Sequence, residues 1–281
     1  MADPTLVRPP SGTTRVAGVI GSPIRHSRSP ALVNAAFAAA GVDWTYAAFE
    51  VAPGSGADAV RAMRALGLGG LSVTMPHKAD VIAALDRVTP DAEVLGAVNC
   101  IAWDGPELVG HNTDGAGLVA SLRADGVDPA GRRCAVVGAG GAARSVIRAL
   151  GLAGAAEVVV VNRTEGRAIA AAELAGAVGR AGTEVDLGAA ELVINATSVA
   201  MGVPAGSTGP VPFDPARLGA GQTVVDLVYL PLETPLLAAA AVRGARPIDG
   251  LGMLVHQAAI AVQLWTGTPA DVAAMQIAAR A

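Results

Sequence analysis

Five polar side chains with binding or proton-transfer chemistry stand in or just past apolar runs in the first half of this sequence. The run Val16 to Ile20 ends at Gly21-Ser22-Pro23, and Ser27 and Ser29 follow in Ile24-Arg25-His26-Ser27-Arg28-Ser29-Pro30. Two hydroxyls beside the N-terminus of a helix make a site for a carboxylate. Lys78 lies just after the run Gly70 to Thr74, in Met75-Pro76-His77-Lys78, and Asn99 lies inside Gly96 to Ala102. A buried amide must find hydrogen-bond partners, either backbone groups or the hydroxyls of a ligand. Asp114 stands in Gly110-His111-Asn112-Thr113-Asp114-Gly115, after a run from Glu107 to Gly110. Each has a plainer reading as well. Ser29 would be a helix N-cap with Pro30 at the first helical position, Lys78 a surface lysine, and Asp114 another N-cap.

The elements that would hold these residues alternate. Helical stretches are expected over about 31–40, 57–66, 79–85 and 116–123, with a strand from Trp44 to Val51 and a turn at Asp104-Gly105. Strands alternating with helices argue for an α/β unit, and in such units ligands bind beyond the carboxyl ends of the strands. Lys78 occupies such a position.

A second organising stretch is Arg132 to Ser145. The apolar run Cys134 to Val137 stops at Gly138-Ala139-Gly140-Gly141-Ala142-Ala143, and Arg144 to Leu150 reads as a helix. In this G-x-G-x-x-A pattern Gly138 permits the tight turn, Gly140 admits a pyrophosphate, and Ala143 lets helix pack on strand. Further strands are expected at Glu157 to Val161, Leu192 to Ala196, Thr223 to Val228 and Arg246 to Ile248, which predicts a parallel sheet covered on both faces. After Val161, where an NAD site carries an acid for the ribose, this chain has Asn162-Arg163-Thr164 and then Arg167. Guanidinium groups suit a 2′-phosphate, so NADP is preferred over NAD; the plainer reading is a helix cap at Thr164 and solvated arginines. Polar strand ends recur at Asn195-Ala196-Thr197-Ser198 and Asp226-Leu227-Val228-Tyr229. Asp249-Gly250-Leu251-Gly252 opens a long helix to about Trp265 that carries Gln257, and a last helix begins at Asp271. Gln257 on its own reads as a surface or interhelical residue. With Asp125 to Gly131 as a link, the expected division is 1–125, with 250–281 packing back on it, and a dinucleotide-binding domain over 126–249.

Composition narrows the possible partners. The chain has 281 residues, few aromatics and a net charge of −4, which gives no reason to expect nucleic acid or an anionic membrane. Gly, Pro and charged residues interrupt every apolar run before it could span a bilayer. The opening MADPTLVRPPSGTTR lacks the apolar core of a signal peptide and is expected to be a frayed tail on a cytoplasmic protein. Cys100 and Cys134 sit inside apolar runs as core thiols, and the four histidines lack ligand spacing, so no metal is expected.

The segments GSPIRHSRSP, LSVTMPHK, GAVN, GHNTDG, VVGAGGAARS, VNRTEGR, NATSVAMG, DLVYLPLETPLL and DGLGMLVHQA occur in this order. Together they resemble the shikimate dehydrogenase family over nearly the whole chain. The resemblance implies a two-domain enzyme that reduces 3-dehydroshikimate to shikimate with NADPH in aromatic amino-acid biosynthesis. By this resemblance Lys78 and Asp114 would be the catalytic pair. Ser27 and Ser29 would hold the substrate carboxylate, Thr74, Asn99, Asp114 and Gln257 the ring hydroxyls, and Tyr229 the carboxylate or the cleft. Gly138, Ala139, Gly140, Gly141 and Ala142 would cradle the pyrophosphate, Asn162, Arg163, Thr164 and Arg167 the adenosine phosphate, and Leu227 and Gly250 the nicotinamide side. The implied fold is an N-terminal α/β substrate domain plus a Rossmann-type doubly wound domain, with C-terminal helices returning to the first. The implied partners are small molecules, for a monomer or homodimer, and the family commonly carries Asn where this chain has Ser72. The neighbouring alternatives are a quinate/shikimate dehydrogenase using NAD and a non-catalytic NADPH-binding sensor.

Overall fold

The computed structural model describes residues 9–204, 206 and 208–281. The first eight positions of the tail expected to fray lie outside the described residues. Its last positions are tied down: the Thr13 and Thr14 hydroxyls donate to the Asp43 carboxylate at 3.1 and 2.7 Å, and Arg15 begins the first strand. The chain divides into two compact units, one that ends at Thr113 and takes in Val255–Ala281, the other Asp114–Leu254.

The first unit holds β1 (Arg15–Gly21), β2 (Trp44–Glu50), β3 (Gly70–Val73), β4 (Arg87–Val88), β5 (Cys100–Asp104) and β6 (Glu107–His111), in the order β2-β1-β3-β5-β6-β4. β1 is parallel to β2 and β3, whereas β5 runs antiparallel to both β3 and β6. The carboxyl ends of β1, β3 and β6 and the amino end of β5 therefore share one edge of the sheet. β5 and β6 are joined at Gly105, whose φ of +58° suits glycine. Over one face, α2 (Gly56–Leu66) and α3 (Pro90–Leu95) bury Val60, Met63 and Ala92 against Ile20, Leu71, Val73 and Ile101. Trp265 packs flat on β3, where a Cβ on Gly70 would lie 2.4 Å from the indole, and its Nε1 donates to the Ile101 carbonyl at 2.9 Å. α1 (Ser29–Ala40) packs against α9 (Val272–Arg280), and the Arg28 guanidinium donates to the Ala279 carbonyl.

The second unit is an all-parallel sheet of β7 (Arg133–Val137), β8 (Glu157–Val161), β9 (Gly179–Gly182), β10 (Leu192–Asn195), β11 (Thr223–Asp226) and β12 (Arg246–Ile248). Its order, β12-β11-β10-β7-β8-β9, is the doubly wound arrangement, with the chain reversing direction between β7 and β10. The valine run of β8 shows no polar alternation because both its faces are covered. Val158 and Val160 enter a core with Leu118, Leu122, Val146 and Ile147, while Val159 and Val161 enter another with Leu187, Leu236 and Leu237. Each fully buried valine contributes about 1.5–3 kcal/mol. The first core is supplied by α4 (Asp114–Ala124), α5 (Gly141–Leu152) and α6 (Glu165–Ala172), the second by α7 (Pro235–Val242). α4 is part of this unit through Leu118 and Leu122, although the division at 125 read from the sequence places it in the first domain. The second division falls inside α8 (Leu251–Thr266), whose Met253 joins the core of the second unit.

Some local expectations change. The stretch near 79–85 is a short 3-10 turn, Asp80–Ala84, and the strand expected from Gly96 starts only at Cys100, because α3 occupies the preceding residues and ends at Gly96 with φ +58°. β4, β9 and α3 are too short to leave a periodic signal. Among the described residues no helix is long and apolar enough to cross a membrane.

Candidate active site

The shared edge of the first sheet collects the polar residues singled out in the sequence. The chain leaving β3 is held by Thr74 N–H donating to the Ile20 carbonyl and by Ser22 N–H donating to the Met75 carbonyl, both at 3.0 Å. Thr74 is thus fixed beside the end of β1. Ser72 keeps the strand register opposite Cys100, so the difference from Asn leaves the backbone regular. The next turn is anchored by His77, which is fully buried, with Nε2 hydrogen-bonded to the Val51 carbonyl at 2.9 Å. Lys78, half-buried, accepts at its carbonyl from Val98 N–H at 2.8 Å. The backbone of Lys78 is thus pinned next to a buried histidine.

Ser29 is not the N-cap expected from its place before Pro30. α1 begins at Ser29, Arg28 takes the cap position without a side-chain cap bond, and Ser29 N–H instead donates to Ser27 Oγ at 3.2 Å. This bond brings the Ser27 hydroxyl to the head of a twelve-residue helix.

Asn99 is 3 % exposed and lies where β3 and β5 meet. Its carbonyl accepts from Val73 N–H and its N–H donates to the His111 carbonyl. Its side-chain amide meets Thr113 and, at 3.3 Å, Gln257 Oε1 on α8. Gln257, one reading of which was a surface residue, is half-buried and joined to this group. Next to Asn99, burial pushes the Cys100 thiol up to about 12, and burial together with the Arg87 cation pulls the His111 imidazole below its usual value. Neither is charged near neutrality.

In the second unit, Asp114 is buried as the first residue of α4, and Gly115 beside it lies against Ser145 of α5. The turn after β7 takes the form expected of a phosphate cradle. Gly138 has φ +117°, and its N–H donates to the Val161 carbonyl at 2.8 Å. A Cβ at Gly140 or Gly141 would meet no protein atom within 4 Å. Packing therefore does not require these glycines, but a pyrophosphate approaching the first N–H groups of α5 does. Ala142 follows in the first turn, and Ala143 is buried against the sheet. At the end of β8 the Asn162 amide donates to the Thr164 carbonyl, Thr164 caps α6 without a side-chain bond, and Arg163 and Arg167 are exposed. These residues fit NADP: a bare backbone cradle at the switch point, then two exposed guanidinium groups and a hydroxyl, the donor types that a ribose phosphate takes.

A third group lies at the ends of β10 and β11. Asp226, 1 % exposed, accepts from Asn195 Nδ2 at 2.8 Å, Val228 N–H at 3.1 Å and Thr234 Oγ1 at 2.7 Å. Asn195 Oδ1 in turn accepts from the Thr197 N–H and hydroxyl, and Thr234 Oγ1 accepts from Leu237 N–H as the cap of α7. One carboxylate thus fixes three segments, among them the one carrying Leu227 and Tyr229. A Cβ on Gly250 would lie 2.4 Å from the Leu227 carbonyl oxygen, so Leu227 and Gly250 are in direct apposition. Burial raises the Asp226 carboxyl above the ordinary carboxylate range despite its three donors. The sequence marked Asp226 and Asn195 as polar strand ends but assigned them no task, and it missed Thr113 and His77, which lack any pattern of their own.

A substrate-type edge of hydroxyls, amides and an ammonium in one α/β unit, and a doubly wound dinucleotide cradle in another, define a two-unit oxidoreductase of the nicotinamide-dependent class. Comparison with known proteins agrees. Models of the shikimate dehydrogenase substrate binding domain, of shikimate / quinate 5-dehydrogenase and of the shikimate 5′-dehydrogenase C-terminal domain match residues 19–101, 121–203 and 250–280. The NADP(+) shikimate dehydrogenase of Moorella thermoacetica is 47 % identical over 276 residues, covering 94 % of this chain and 92 % of that protein. That of Geobacter metallireducens is 44 % identical over 269 residues, covering 92 % and 93 %. The crystal structure of shikimate 5-dehydrogenase from Thermus thermophilus with NADP(H) and shikimate superposes with a TM-score of 0.87 at 37 % identity, covering 95 % of this chain and 99 % of that one. The chain belongs to the shikimate dehydrogenase family.

Proposed function

We propose that this chain reduces 3-dehydroshikimate to shikimate, reversibly, using NADPH, as a step of aromatic amino-acid (chorismate) biosynthesis. The observation that carries this reading is the clustering of Ser27, Ser29, Thr74, Lys78 and Asn99 along one edge of the first sheet. A small polyhydroxy acid needs neutral donors and acceptors rather than an apolar pocket, and this edge supplies them. Ser27 and Ser29 hold the carboxylate at the head of α1. Thr74, Asn99 and Gln257 bind ring hydroxyls, and Tyr229 binds the carboxylate.

NADPH, when bound, supplies a hydride to the ring ketone. Gly138 to Ala142 bind its pyrophosphate through backbone N–H groups, Asn162 to Arg167 its adenosine phosphate, and Leu227 and Gly250 shape the nicotinamide side. Charge develops on the ketone oxygen as it is reduced, so an acid must stand within hydrogen-bond reach. Lys78 Nζ donates that proton and takes it back in the reverse direction. Asp114 completes the catalytic pair by holding the hydroxyl beside the reacting carbon. The buried free thiols of Cys100 and Cys134 suit a reducing compartment, so the enzyme works in the cytoplasm, as a monomer or homodimer.

The test is NADPH consumption with 3-dehydroshikimate by the wild-type chain beside Lys78→Ala. Turnover by the wild type and a fall in kcat of about 10²–10⁴ in the variant are expected. No turnover by the wild type would overturn the function. Near-normal kcat in Lys78→Ala with a raised KM would reduce Lys78 to a binding residue.

A further inference from the structure

Thr113 was not singled out by sequence, yet it grips both ends of the Asn99 amide. Thr113 N–H lies 2.7 Å from Asn99 Oδ1, Thr113 Oγ1 lies 2.9 Å from Asn99 Nδ2 and 3.3 Å from Asn99 Oδ1, and the same Oγ1 lies 3.1 Å from the Gln257 carbonyl oxygen. Thr113 is 3 % exposed. The chemistry of the groups leaves one consistent donor assignment. A backbone N–H can only donate, so the amide atom facing it is the oxygen. The single hydroxyl hydrogen of Thr113 has two acceptors in reach and is directed at the nearer, the Gln257 carbonyl at 3.1 Å rather than Asn99 Oδ1 at 3.3 Å. Thr113 Oγ1 is then left to accept from Asn99 Nδ2, at the shorter of its two distances to the amide.

One Asn99 N–H is used in this way, and the other donates to Gln257 Oε1 at 3.3 Å, a long bond that a ligand hydroxyl can enter. A donor and an acceptor at that spacing match a hydroxyl group, which can accept from the first and donate to the second. A carbonyl cannot donate and a methylene can do neither, so both are disfavoured there.

We infer that Thr113 is a positioning residue for substrate selection: its N–H and hydroxyl fix the Asn99 amide in the orientation that, with Gln257 Oε1, reads one ring hydroxyl. This rests on the assignment of Asn99 and Gln257 to the substrate in the proposed function. Without the Thr113 hydroxyl, the amide keeps the N–H that orients its oxygen but loses the acceptor that holds its nitrogen, and the binding pair is held less firmly.

The experiment is a double-mutant cycle read by kcat/KM for shikimate, with the NADP dissociation constant and the thermal midpoint measured on each variant. Thr113→Val keeps the shape and removes the hydroxyl. It is expected to lower kcat/KM for shikimate about tenfold or more, mainly through KM, and to leave NADP affinity within about twofold. Thr113→Ser is expected to recover most of the loss. In an Asn99→Ala background, Thr113→Val is expected to add little, because its effect runs through Asn99. Should Thr113→Val not yield folded protein, Thr113→Ala in the two backgrounds carries the same comparison. A Thr113→Val enzyme within about twofold of wild type, a Thr113→Ser enzyme as impaired as Thr113→Val, or a full additive loss in the Asn99→Ala background would each overturn the inference. Absence of shikimate turnover in the wild type is a separate result, which would fall on the proposed function itself.

Discussion

Gly115 and Ser145 are packed so closely that a methyl group on Gly115 would lie 2.4 Å from the Ser145 carbonyl oxygen and 2.7 Å from the Ala149 Cβ. The glycine after Asp114 is therefore a helix-packing residue: it lets α4 approach α5. Gly115→Ala must push the two helices apart, at about 1–3 kcal/mol for an overpacked core. Urea unfolding should show that loss, with a fall in kcat because Asp114 moves with the helix. Unchanged stability would mean that α4 is not held by this contact.

The glycines of the cradle separate into two kinds. Gly138 is conformational: at φ +117°, with the Ala196 carbonyl oxygen 3.1 Å from its missing Cβ, alanine is strained by about 1–3 kcal/mol. Gly141 has open space around it, so Gly141→Ala should leave stability within about 0.5 kcal/mol while its methyl group occupies the phosphate position. Thermal melts and NADP titrations on the two variants should show stability and affinity lost together in Gly138→Ala, and affinity alone in Gly141→Ala.

Arg163 and Arg167 are exposed at the end of β8, where an acid would serve an NAD ribose. Arg163→Ala should lower kcat/KM with NADP about tenfold or more, and leave the much lower value with NAD nearly unchanged, since charge-assisted bonds to a phosphate are worth about 1.5–3 kcal/mol. Parallel losses with both cofactors would place the arginine away from the 2′-phosphate.

Asp226 gives a pH prediction. Its folded-state carboxyl titrates above the ordinary value because burial outweighs the donors from Thr234, Val228 and Asn195. Between the unfolded and folded values the folded protein therefore binds more protons, and this group makes stability fall as pH rises through that interval. Asp226→Asn should remove that contribution, so that its urea midpoint relative to wild type improves from acid toward neutral pH. A difference that stays flat with pH would show that Asp226 titrates normally.

The fold was legible where chemistry and periodicity coincided. The strands at Glu157–Val161 and Arg246–Ile248 fall where the apolar runs placed them, and the glycine turn after Val137 has the backbone its residues demanded. What escaped was structure made by long-range contact. Thr113 is an ordinary threonine until Asn99 and Gln257, distant in sequence, come beside it, and Gly115 explains itself only once α5 is in place. The misjudged cap at Ser29 has a local cause instead: α1 begins at Ser29 itself, with Arg28 at the cap position, and the Ser29 N–H is taken by Ser27 Oγ.

The most direct measurement is the initial rate of NADPH formation from shikimate and NADP by the purified chain, run beside quinate and beside NAD at equal concentrations. Rapid turnover with shikimate and NADP, and far slower turnover when either is exchanged, is the result expected from Arg163, Arg167 and the hydroxyl-reading edge of the first sheet. Comparable rates with quinate or NAD, or no turnover with any pair, would contradict it.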